Sequence, residues 1–123
     1  MLAKDLIGVG VPAIQAGVLG DNPAVALTTA GTTGATSTAI LLAQDFVLMT
    51  GSGSTDGLRL PAGTLLQQMY IIASVSASGG TVYPPTGGNF TGGSTDAGIA
   101  VTARKTIICW RYSATGWAYN MSA

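Results

Sequence analysis

The sequence has no histidine and no glutamate, one cysteine, and only 8% charged residues among its 123 positions. Each absence removes a class of chemistry. Without histidine there is no Ser-His or Cys-His nucleophile pair and no imidazole acid-base catalysis. Cys109 has no second cysteine for an intrachain disulfide and no histidine to share a metal with, so it reads as a small buried hydrophobe. The five carboxylates are Asp5, Asp21, Asp45, Asp56 and Asp96, mostly in predicted turns, where aspartate bonds its own backbone. A glycosidase pair must meet within about 5–9.5 Å, and no spacing here points to one. No catalytic, cofactor-binding or metal-ligating residue is therefore expected, and the chain reads as a non-enzyme without cofactors.

The shortage of charge also bears on partners. Average proteins carry about 25% Asp, Glu, Lys and Arg; here five bases balance five acids to a net charge of zero. Lys4, Arg59, Arg104, Lys105 and Arg111 are scattered, whereas nucleic acids and anionic membranes select clustered cations. No apolar run approaches the ~18 residues of a spanning helix. Neither nucleic acid nor membrane is expected as a partner. A neutral surface offers little repulsion against self-association, which points to faces covered by other protein.

What is present divides into two parts. Residues 1–23, MLAKDLIGVGVPAIQAGVLGDNP, are apolar and glycine-rich, and too interrupted for a confident helix or strand. Lys4 and the apolar residues after it have some likeness to a signal peptide, but Gly8, Gly10, Pro12, Gln15 and Gly17 break the run. We read 1–23 as an extended N-terminal arm that needs a surface to lie on. From residue 24 to 123, short apolar runs alternate with Gly, Thr, Ser, Asn and Asp, the pattern of an all-β domain. Strands are expected at Val25–Thr29, Ser37–Leu42, Phe46–Thr50, Gly57–Leu60, Met69–Ser74, Gly80–Tyr83, Gly98–Thr102, Thr106–Tyr112 and Trp117–Met121. Only Thr64–Met69 has room for a helical turn. The expected fold is an antiparallel β-sandwich or jelly-roll-like barrel.

Alternation assigns faces in some strands. Trp117, Tyr119 and Met121 share one side, with Ala118 and Asn120 on the other. Phe46-Val47-Leu48-Met49 and Tyr70-Ile71-Ile72-Ala73 are apolar on both sides, although an antiparallel sandwich normally wets one face. Such strands imply a small closed barrel packed by neighbours, faces buried between subunits, or ordinary core packing in a tight fold; on the subunit reading, Tyr70, Ile72, Trp110 and Tyr112 are the expected interface residues. The segment Gly51–Gly57, GSGSTDG, lacks the lysine of a phosphate loop and the alternating ligands of a calcium loop. It reads as a connection.

The order of several motifs carries a resemblance. Ala30-Gly31-Thr32-Thr33-Gly34-Ala35-Thr36-Ser37-Thr38-Ala39-Ile40 precedes an apolar strand. Gly57-Leu58-Arg59-Leu60-Pro61-Ala62-Gly63 follows, then Gly80-Thr81-Val82-Tyr83-Pro84-Pro85-Thr86-Gly87-Gly88, Ala103-Arg104-Lys105-Thr106, and Tyr112-Ser113-Ala114-Thr115-Gly116-Trp117. This set, over roughly residues 24–120, resembles tailed-bacteriophage capsid decoration (cement) proteins, head-fibre bases and related trimeric β-domains. The resemblance implies a β-sandwich or jelly-roll-like domain, trimeric, sitting on or projecting from a capsid and bound to the major capsid protein, with no active site. The arm lies outside the recurrent pattern, and its composition alone makes Leu2, Leu6, Ile7, Val9, Val11, Ile14, Val18 and Leu19 the expected capsid-contact residues. A head-fibre base, a tail or baseplate adaptor, and a glycan-binding surface domain are the alternatives.

Overall fold

The computed structural model describes residues 24–122 except Ser52 and Ser54, so the arm expected at 1–23 and its eight contact residues lie outside the described residues. Among the described residues there are ten strands and no helix. They are β1 (Val25–Thr28), β2 (Thr38–Ala39), β3 (Phe46–Thr50), β4 (Gly57–Arg59), β5 (Met69–Ser74), β6 (Gly80–Tyr83), β7 (Asn89–Phe90), β8 (Ile99–Val101), β9 (Thr106–Arg111) and β10 (Gly116–Met121). Alternation and turn residues locate most of these strands, and Thr64–Met69 forms turns that lead into β5.

Their arrangement overturns the sandwich, jelly-roll and barrel expectation: the chain is a β-solenoid of about four turns. A sandwich built from hairpins reverses the chain within a sheet. Here the breakers instead pass it from one sheet to the other, so β1, β3 and β5 enter the first sheet and β2, β4 and β6 the second. Each set pairs in parallel. Val25, Val47 and Ile72 fall in one register row, so successive rungs are 22 and 25 residues apart. That period is within the range of repeat architectures. β3 and β5 lack alternation because the residues on their outer side are apolar as well as those facing the core.

The winding stops at the C-terminal side. The six-stranded sheet has the order β1-β3-β5-β9-β10-β7, and the four-stranded sheet has β2-β4-β6-β8. The antiparallel β9–β10 hairpin is inserted between β5 and β7, and β7 pairs only with β10 among the described strands.

The core lies between the sheets. One inward row of the larger sheet runs Val25, Val47, Ile72, Ile107 and Met121. A second brings Tyr70 and Cys109 beside Tyr119, and Tyr70 lies 6.1 Å from Trp117 between ring centroids. Leu58 and Val82 close the core from the smaller sheet. Burial pushes the Cys109 thiol up to about 12. Burial, and then the charge of Asp45, lift the Tyr70 phenol to about 12.

Candidate interaction surfaces

The inward rows define their complement. Phe46, Leu48, Met69, Ile71, Ala73, Ile108, Trp110 and Ala118 project from the other side of the six-stranded sheet, joined by Thr28, Thr50, Thr106 and Asn120. No residue projecting there from a strand is charged. Phe46 and Met69 are exposed, while Leu48, Ile71, Ile108 and Trp110 are half-buried by one another. A contiguous exposed apolar patch of this kind is a candidate interaction surface.

The corner where β3 and β5 begin extends that face. Leu41-Leu42-Ala43-Gln44 and Leu65-Leu66-Gln67-Gln68 are turns of successive rungs closed by the same pair of hydrogen bonds, although only the second has a positive φ, at Gln67. In the first, the Gln44 amide donates to the Leu41 carbonyl at 2.9 Å and the Leu41 amide donates to Gln44 Oε1 at 2.9 Å. In the second, the matching distances are 3.2 Å and 3.1 Å between Gln68 and Leu65. The Tyr70 hydroxyl then donates to the Leu42 carbonyl at 3.0 Å and ties one turn to the next. Because glutamine closes each turn by its own backbone and side chain, both leucines point outward. Leu65 keeps 76% of its surface and Leu41 62%. A two-step apolar ledge therefore runs into the sheet face through Phe46 and Met69, each soon after its leucine pair.

Of the four residues expected at a subunit interface, two have no surface to offer. Tyr70 and Ile72 sit in the inward rows of β5 and are fully buried within the chain. Alternation alone left their side undecided, because β5 is apolar on both faces. Trp110 is on the outward face opposite Met69, and Tyr112, just beyond β9, is exposed. Leu41, Leu42, Leu65, Leu66, Phe46 and Met69 are exposed apolar side chains that the strand reading did not single out. Their signal was the repeated Leu-Leu-x-Gln, which period-2 reading passes over.

The scattered cations are used locally. Arg111 donates through Nε to the Ser113 carbonyl at 3.0 Å, through Nη2 to the Ala114 carbonyl at 2.9 Å, and through Nη1 to the Thr64 carbonyl. Arg59 Nη1 donates to the Gly34 carbonyl at 2.9 Å. These guanidiniums staple loops to the solenoid. Among the described residues no three Cys or Asp side chains gather where a metal ion would bind. The arrangement is suited to adhesion: a neutral, flat face with a greasy corner. No model of a known protein family matches the sequence, and no curated protein matches it.

Proposed function

We propose that this chain is a structural virion protein: a capsid decoration (cement) protein that binds the major capsid protein as a homotrimer and stabilises the shell from outside. The observation that carries the reading is the uncharged outward face of the six-stranded sheet, continuous with the leucine ledge. Fully burying one large apolar side chain contributes about 1.5–3 kcal/mol, so covering several of them supplies a substantial gain on assembly. The ordered resemblance over residues 24–120 supports a virion setting, and the low charge supports a protein whose faces are covered in its working state. The uncharged sheet face suits contact between copies, since like faces meet there without like charges. Residues 1–23 supply the apolar tether to the shell.

The test uses the full chain and a form lacking residues 1–20. Light scattering of the full chain should give three times its 12.3 kDa mass, and the protein should co-sediment with capsids. Ile108→Asp should dissociate the trimer, while deletion of 1–20 should leave the trimer and remove capsid binding. A full chain that stays monomeric at high concentration, or undiminished capsid binding without residues 1–20, would overturn this reading.

A further inference from the structure

The smaller sheet carries a different feature on its outer side. A groove of about 400 Å³ is bounded by Thr32, Thr33, Tyr83, Pro84, Thr86 and Asp96. Tyr83 ends β6 and projects outward, since its neighbour Val82 is buried. Two glycines on the flanking segments make room for its ring. A Cβ at Gly57 would fall 2.4 Å from Tyr83 Cε2, and one at Gly98 would fall 2.8 Å from Cδ1 and Cε1. Neither glycine is among the residues with positive φ, so the backbone does not demand glycine at either place. What both provide is space, filled by one aromatic ring laid across the strands. Glycine inside a strand often marks such a close approach. The Tyr83 hydroxyl donates to the Thr32 carbonyl at 2.8 Å, which fixes the ring as part of the groove.

The wall opposite contributes a carboxylate. Asp96 is exposed, with φ at 62°, and its Oδ1 accepts the Gly87 amide at 2.7 Å. This bond holds the carboxylate in place and leaves Oδ2 to accept from a ligand. The remaining lining offers threonine hydroxyls and small residues and no large aliphatic side chain; Arg59, paired with Tyr83 across β4 and β6, spends its Nη1 on the carbonyl of the lining residue Gly34. A fixed aromatic ring, an anchored acceptor and adjacent hydroxyls match the C–H face and hydroxyl rim of a pyranose. The Asp96 carboxylate repels acidic sugars, and the missing aliphatics disfavour a greasy ligand.

We infer that this groove binds a neutral saccharide, with a sugar ring packed on Tyr83 and its hydroxyls donating to Asp96. The inference goes beyond the assembly role and rests on the opposite side of the solenoid, so either reading can fail alone. The ligand is a surface glycan or a free oligosaccharide, which present the same chemistry.

The experiment applies the full chain to an array of neutral hexose, N-acetylhexosamine and sialylated oligosaccharides. Saturation-transfer NMR then examines the retained glycans. At least one neutral glycan should bind, with transfer strongest to the C–H protons of one ring. Losing a hydrogen bond to a charged acceptor weakens binding about tenfold or more, and that is the expected effect of Asp96→Asn. This variant keeps an oxygen for the Gly87 amide, so its thermal unfolding and assembled mass should match the parent. Tyr83→Ala should abolish binding, and Asp96→Asn keeps the test decisive if Tyr83→Ala misfolds. No neutral glycan bound at millimolar concentration, a preference for the sialylated members, or affinity unchanged in Asp96→Asn would overturn the inference.

Discussion

Two adjacent isoleucines on β5 should respond very differently to the same truncation. Ile72 is fully buried in the row between Val47 and Ile107. Ile72→Ala removes three carbons, about 2.4 kcal/mol at ~0.8 per carbon. The unfilled space adds to this, and a total of about 3–4 kcal/mol is expected. For a domain of this size each kcal/mol moves the melting temperature by about 4–8 °C, so Ile72→Ala should melt some tens of degrees lower or fail to fold when warmed. Ile71 points to the opposite side, between Phe46 and Ile108, where it is half-buried. Ile71→Ala should cost the chain itself only about 1 kcal/mol. Its larger effect should be on association, appearing as unfolding that depends more steeply on protein concentration. Urea titrations followed by tryptophan fluorescence and far-UV circular dichroism, at three protein concentrations, measure both terms. Equal losses from the two variants, or a greater loss from Ile71→Ala in the dilute limit, would refute the assignment of inner and outer faces on β5.

Other outcomes follow from local geometry. Gly63 and Gly79 both have positive φ, at 76° and 75°, but a Cβ at Gly63 meets nothing within 4 Å, whereas at Gly79 it would fall 2.4 Å from the Val101 carbonyl oxygen. Thermal denaturation should therefore show Gly63→Ala costing about 1–2 kcal/mol, the left-handed penalty alone, and Gly79→Ala markedly more. Alkaline pH should also weaken the fold. Cys109 and Tyr70 release protons more readily unfolded, at ordinary values of 9.0 and 10.0, than folded, where both rise to about 12. Their contribution is complete below pH 9 and falls as pH rises toward 12, by up to about 1.4 kcal/mol per unit for each group. Urea midpoints measured from pH 8 to 11 should decline, and Cys109→Val should decline less steeply.

Strand positions were legible in the sequence while strand neighbours were not. Phe46–Thr50, Met69–Ser74 and Gly80–Tyr83 agree with the structure residue for residue; Asp45 and Gly51 bracket the first and Gly79 and Pro84 the third. Ser37–Leu42 contracts to Thr38–Ala39, since Leu41 and Leu42 belong to a turn closed by the Gln44 side chain. Asn89–Phe90 was missed because two residues carry no periodicity. Architecture escaped for a different reason. Side-chain alternation reports which face a residue occupies and is silent about whether the next strand lies beside it or across the core. The rungs VALT, FVLMT and MYIIAS share spacing and apolar character, with little identity. Two clues to winding were present: runs apolar on both sides, and Leu-Leu-x-Gln recurring after 24 residues at Leu41 and Leu65. Of the residues expected at a subunit interface, Trp110 and Tyr112 keep exposed surface while Tyr70 and Ile72 keep none. The leucine corner and the groove over Tyr83 depend on turns stacked from distant segments, which no local pattern reveals.

The position of β10 has a consequence for how the protein is made. It follows the other nine strands in chain order, yet in space it stands second from the edge and is what joins β7 to the larger sheet. Early rungs can stack as they emerge, each on the one before. The far margin of that sheet must wait for β10, which seats between β9 and the earlier-made β7 like a keystone.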